Sequence, residues 1–120
     1  MVDITIPGLQ LVSEANWRGH WATKARRVSL QRNLVTIMLA PTQAKFMALY
    51  APLTVVITRI SPRRLDSDNA VGSAKAVRDA IAQAMKVSDG NDSVDWRVVQ
   101  AKGPVGVRIQ IYSREAVTNV

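Results

Sequence analysis

The chain has 120 residues, 48% of them hydrophobic, which is enough for one compact core and too few for two ordinary domains, so residues 1–120 read as a single domain. Sixteen Lys and Arg against nine Asp and Glu give a net charge of +7, which favours a polyanionic partner. The lack of cysteine excludes disulfide frameworks and thiolate zinc sites, and no run approaches the ~20 apolar residues of a membrane-spanning helix. The opening residues Met1 to Thr5 lack the basic and apolar regions of a secretory signal, so a cytoplasmic setting without membrane association is expected.

In chain order, Val2 to Ile6 alternates apolar and polar and predicts a strand ended by Pro7-Gly8, which Leu9 to Val12 continues past a bend. His20 to Ala40 predicts a helix stopped by Pro41. Helical spacing puts His20, Lys24, Arg27 and Gln31 on one wet face, with Trp21, Ala25, Val28, Val35 and Leu39 turned toward a core. Leu53 to Ile60, rich in β-branched residues between Pro52 and Pro62, predicts a strand. Asn69 to Lys86 predicts a second amphipathic helix, with Val71, Ala74, Val77, Ile81, Ala84 and Met85 at core spacing. Val94, Trp96 and Val98 alternate on a third long strand and Val105, Val107, Ile109 and Ile111 on a fourth; Lys102-Gly103-Pro104 between them predicts an antiparallel hairpin. The expected fold is α/β (α+β), a mixed sheet of about four strands packed on two main helices. The last residues, Ala116 to Val120, are expected to be dispensable.

Charge is segregated along this frame. Residues 15 to 65 hold nine Lys or Arg and no acid, and six of the nine acidic residues then fall between positions 66 and 95. The acidic stretch opens with Leu65-Asp66-Ser67-Asp68-Asn69 and closes with Asp89-Gly90-Asn91-Asp92. Aspartates that hold Mg²⁺ against a phosphate are a common solution to phosphodiester hydrolysis. Asp66 and Asp68 frame a turn between a strand and a helix, and Lys75 and Asp79 share a face further along. Lys75, projecting back toward the helix start, is placed to stabilise charge on a metal-bound phosphate. The ordinary alternative is that the aspartates cap the helix and Lys75 pairs with Asp79 in solvent. For phosphate contacts the candidates are Arg18, Lys24, Arg26, Arg27, Arg32, Arg63 and Arg64. His20, the only histidine, is either a half-buried helix-start residue or a further phosphate contact.

One continuous helix over 69–86 would carry the chain ~26 Å from Asp68, at ~1.5 Å per residue, before Asp89. Two such helices packed antiparallel in a homodimer would set the Asp66/Asp68 pair of one copy beside the Asp89/Asp92 cluster of the other. The expected metal site is therefore shared between subunits. Trp17, Trp21 and Trp96 are of the type that stacks on unpaired bases, although Trp96 alternates with apolar neighbours as a core residue does.

The run Asp66-Ser67-Asp68-Asn69, then Lys75 and Asp79, then Asp89-Gly90-Asn91-Asp92 with Val94 behind it, resembles the signature of the RusA family of Holliday-junction resolvases, phage and prophage type. Arg63-Arg64-Leu65 fits as its lead-in, and Asn16 to Arg32, with His20-Trp21 and Arg26-Arg27, resembles the amino-terminal part of phage-borne relatives. The resemblance implies a small homodimeric α/β protein that binds four-way DNA junctions and makes paired nicks with Mg²⁺, with Mn²⁺ as a substitute. It implies Asp66, Asp68 and an acid near 89 to 92 as metal ligands, with Lys75 assisting catalysis. The family's lysine position falls here on Gly72, and its late acid on Asn91, an uncharged oxygen donor that leaves Asp89 or Asp92 to supply the charge.

Other motifs are excluded. The Asp89 to Asp92 run has Val94 and Gln100 where a calcium-binding EF-hand loop needs Gly and Glu. Gly72-Ser73-Ala74-Lys75 lacks the leading glycine and Gly-Lys pair of a P-loop, so no nucleotide cofactor is expected. Besides a junction-resolving endonuclease, the residues fit a catalytically impaired DNA-binding protein of the same fold, or an RNA-binding or protein-interaction module with capping aspartates.

Overall fold

The computed structural model describes residues 1–13, 21–42, 52–86 and 94–113. Strand β1 (Val2–Pro7) leads to helix α1 (Trp21–Leu39), which ends in a 3₁₀ turn at Ala40–Thr42. Strand β2 (Leu53–Ile60) is followed by helices α2 (Ser67–Ser73) and α3 (Lys75–Met85), then strands β3 (Val94–Ala101) and β4 (Gly106–Ser113). The four strands form one mixed sheet in the order β1-β4-β2-β3, as the expected α+β class requires.

The sheet has one apolar face. Register sets Val55 of β2 beside Ile111 and Trp96, and Ile57 beside Ile109 and Val98, while Val2, Ile4 and Ile6 extend the rows on β1. Val35 and Leu39 of α1 and Val77, Ala80 and Ile81 of α3 complete this core. The opposite parity carries Asp3, Asp95, Arg97 and Arg108, which form the ion pairs Arg108–Asp3 and Arg97–Asp95.

Several expectations are corrected, among them Val71, expected at core spacing and found 53% exposed. First, β3 and β4 form no hairpin: β3 pairs with β2 in parallel, and β4 lies antiparallel on the other side of β2. The short connection therefore steps across the end of β2, where Ser61 N donates to Ala101 O (3.1 Å) and Gly103 N to Ser61 O (3.3 Å). A Cβ on Gly103 would lie 3.1 Å from Ile60 Cγ2, so the crossing uses glycine to pass this close. Secondly, the long helix over 69–86 is broken at Ala74, whose N–H bonds back three residues to Val71 O (3.2 Å). Gly72 and Ser73 sit at the break, and Ser73 Oγ donates to Ala70 O (2.7 Å), a back-bond of the kind that bends helices.

Thirdly, α1 is rotated from its expected setting. Gln31, expected wet, is buried with its Nε2 donating to Gln10 O (3.1 Å), Arg27 is half-buried, and Trp21, expected inside, is 76% exposed. A buried amide with a backbone partner is tolerated, so the inward stripe runs through Val28, Gln31, Val35 and Leu39 and leaves Ala25 outside. Leu9 to Val12 adds no strand, although Leu9 and Leu11 are buried in the core. Among the described residues no helix is long and apolar enough to cross a membrane.

Candidate active site

The inward rows of β2 and β3 end in polar residues: Val55, Ile57, then Arg59; Trp96, Val98, then Gln100. These two side chains hold the loop that leaves the sheet. Arg59 Nη1 donates to Arg63 O (2.8 Å) and to Gln100 Oε1 (3.4 Å), and its Nε donates to Leu11 O (3.0 Å). Gln100 then grips the next turn of chain, with Leu65 N–H donating to its Oε1 and its Nε2 donating to Leu65 O, each at 2.8 Å. The backbone immediately before Asp66 is thereby fixed to the carboxyl ends of the parallel strand pair, the edge at which open α/β sheets bind ligands.

Asp66 occupies the N-cap position of α2, and Ala70 N donates to its carbonyl oxygen (2.8 Å), yet its carboxylate makes no capping bond. Asp68 lies in the first turn, and both side chains are exposed. The capping role open to Asp66 on sequence grounds is thus unused, and two carboxylates two residues apart face solvent. Mg²⁺ is usually bound through one or two carboxylates with water and substrate phosphate completing its shell, and Asp66 and Asp68 fit that donor set. Among the described residues no group of three or more His, Cys, Asp or Glu comes together.

Lys75 is engaged elsewhere on its own helix. Its Nζ binds Asp79 Oδ2 at 3.3 Å one helical turn on, and Arg32 Nη2 of α1 reaches the same oxygen at 3.3 Å. Asp79 therefore ties α1 to α3 and is itself occupied. Lys24, Arg32 and Lys75 line one groove of about 460 Å³ between these helices, together with Gly72 and Asp79. Arg63 and Arg64 are exposed on the other side of the carboxylates in sequence, and Arg26 is exposed on α1. Basic residues thus precede Asp66 closely, and the next one after Asp68 is Lys75, seven positions on. Arg18, His20, Asp89, Asn91 and Asp92 lie outside the described residues.

Arg59, Gln100 and Lys102 were not singled out by sequence. The signal was available for the first two, since each continues the inward parity of an apolar strand and a polar residue there needs a partner. Trp96 is half-buried against the core, with the Arg78 guanidinium 5.0 Å from its ring centroid, which agrees with a packing role. Compared with known proteins, the chain matches no family model and no curated protein.

Proposed function

We propose that this chain is a Mg²⁺-dependent endonuclease that nicks branched DNA, with the four-way junction as its substrate. The observation that carries this reading is the unused pair Asp66 and Asp68, exposed at the fixed end of the parallel strands and preceded closely in sequence by Arg63-Arg64, on a chain that also lines a groove with Lys24, Arg32 and Lys75. Asp66 and Asp68 would hold the ion, which when bound supplies an activated water and charge neutralisation at the scissile phosphate. These basic residues bind the strand by its phosphates, positioning it across the carboxylates, and the Gln100 clamp keeps that edge from shifting. The resemblance to RusA-like resolvases supplies the junction as substrate; recombination and repair in a bacterial or phage-infected cytoplasm would be the setting.

A homodimer belongs to the same proposal. Strand β3 runs parallel to β2, so Val94 lies at the opposite end of the sheet from Gln100, six residues or ~20 Å away. Lys86, at the far end of α3, is the other described neighbour of the second acidic cluster. A second copy is then the natural source of Asp89, Asn91 and Asp92 for the Asp66/Asp68 pair, with Asp89 as its catalytic acid. The outward face of α1 supports an association, because Leu30 and Ile37 are 57% and 65% exposed and two turns apart.

A catalytically impaired DNA-binding protein is the second reading, favoured by one observation: Lys75 is engaged with Asp79. Incubating a synthetic four-way junction with the protein in Mg²⁺ or in chelator distinguishes the two. Paired nicks that require Mg²⁺ support the enzyme; binding that weakens steeply with salt but leaves the DNA intact supports the second reading. Preference for RNA, or no nucleic-acid affinity at low salt, contradicts both.

A further inference from the structure

Arg59 is a buried cation with no counter-ion among the described residues. Only 6% of its surface is exposed, and its Nε and Nη1 bind three neutral acceptors, Leu11 O, Arg63 O and Gln100 Oε1. No carboxylate pairs with it among the described residues. Carbonyl oxygens satisfy N–H groups without neutralising the charge, and a guanidinium taken out of water without an anion is costly. Nη2 has no protein acceptor among the described residues. Burial lowers the Arg59 pKa from the ordinary arginine value, the direction expected where no opposite charge offsets desolvation, and arginine stays protonated at neutral pH regardless.

This guanidinium and the buried Ser61 line a cavity of about 250 Å³ at the carboxyl ends of β2 and β3, together with Arg63, Arg64, Gln100 and Lys102. Arg63, Arg64 and Lys102 stand exposed around it, so among the described residues four cations and no acid line the recess. Ser61 Oγ accepts from Arg63 N (3.4 Å), which leaves its own O–H free to donate.

We propose that this recess is a phosphate-binding pocket, with Arg59 Nη2 and the Ser61 hydroxyl as its inner donors and Arg63, Arg64 and Lys102 as its charged rim. The chemistry fits one phosphate group, whether carried on a nucleic-acid strand or free as inorganic phosphate. Planar guanidinium donors held by the backbone are suited to phosphate oxygens, and the fixed position of Arg59 means little ordering is lost on binding. Only the choice of a DNA strand as the source rests on the nuclease reading; the pocket itself does not.

The test is an NMR titration of the ¹⁵N-labelled full chain with inorganic phosphate, against chloride at equal ionic strength and without divalent cation. Saturable shifts are expected at the Arg59 Nε–Hε signal, the Gln100 side-chain amide and the Lys102 N–H. Lys102→Ala, an exposed change that leaves the fold intact, should weaken binding severalfold. Arg59→Gln, if it folds, should weaken it about tenfold or more. Asp66→Asn/Asp68→Asn should leave it unchanged. Competition then separates the sources: displacement of phosphate by 5′-phosphorylated and 5′-hydroxyl oligonucleotides alike indicates an internal strand phosphate, displacement by the phosphorylated form alone a strand end, and by neither the free anion. Absence of saturable shifts at Arg59, shifts that chloride reproduces, or unchanged affinity in Lys102→Ala overturns the pocket. Phosphate binding without junction cleavage sustains the pocket while the nuclease reading falls, and cleavage without phosphate binding does the reverse.

Discussion

Gln100 holds Leu65 from both sides, accepting its N–H and donating to its C=O at 2.8 Å each, so that a side chain on an edge strand acts as one more rung beside the loop that carries Asp66. Gln100→Leu removes both bonds at once. Leaving half-buried backbone groups unpaired costs about 1–3 kcal/mol, and that loss of stability should appear in urea unfolding. Nicking should drop with Gln100→Leu even at temperatures where the chain is fully folded, because the Asp66 backbone is then no longer fixed.

Asp79 is the joint between α1 and α3. The pairs are largely exposed, and exposed ion pairs contribute only about 0–1 kcal/mol each, so Asp79→Asn should change stability by no more than about 1 kcal/mol. It also frees Lys75 and Arg32 in the groove. The expected outcome is tighter DNA binding at low salt with a steeper salt dependence, measured by fluorescence anisotropy.

Lys86 closes α3 in the left-handed conformation, with φ 58° and ψ 40°, its N–H bonded back to Gln83 O at 3.1 Å. A side chain in that conformation costs about 1 kcal/mol that glycine avoids. Lys86→Gly should therefore raise stability, by about 0.5–1 kcal/mol in chemical denaturation, without altering the fold.

The outer face of the sheet carries a pH signature. The Arg108 guanidinium hydrogen-bonds Asp3 and holds its carboxyl below the usual value of 3.8, while Asp3 raises the Arg108 pKa. A depressed carboxylate contributes stability that is present above its unfolded pKa and is lost as pH falls through the lower folded value. The Asp3 contribution should thus be constant at neutral pH and disappear only in acid below about pH 4. In Arg108→Gln, carboxyl NMR titration should show the Asp3 pKa returning upward.

Much of this fold was legible in the sequence, and the reasons for the rest are local. Leu53 to Ile60 is a strand with the expected ends because its β-branched run lies between prolines. The partners of that strand were not legible, because periodicity shows which residues face the core and is silent on which strand lies beside which. Gly103, which fits a hairpin turn, is used instead to cross the end of β2. The break at Ala74 was written in Gly72-Ser73 but masked by apolar spacing that continues through it. In the site, Asp66 and Asp68 stood out as a motif, whereas Arg59 and Gln100 sit in strands at positions that only pairing brings together. Lys75 is seen with its i, i+4 partner Asp79, the pairing that helical spacing allowed for from the start.

The central claim is that Asp66 and Asp68 hold a divalent ion at which DNA is cut. Its most direct measurement compares the wild-type chain with Asp68→Asn on a four-way junction in Mg²⁺ and in Mn²⁺, scoring nicks and binding together. Losing a metal ligand exceeds the 10–100-fold cost typical of outer-shell partners, so cleavage should fall by about a hundredfold or more. Because neither aspartate makes a side-chain bond among the described residues, stability should stay within about 0.5 kcal/mol and junction binding in chelator should be retained. Equal cleavage by the two proteins, or none by either in both ions, would contradict the account.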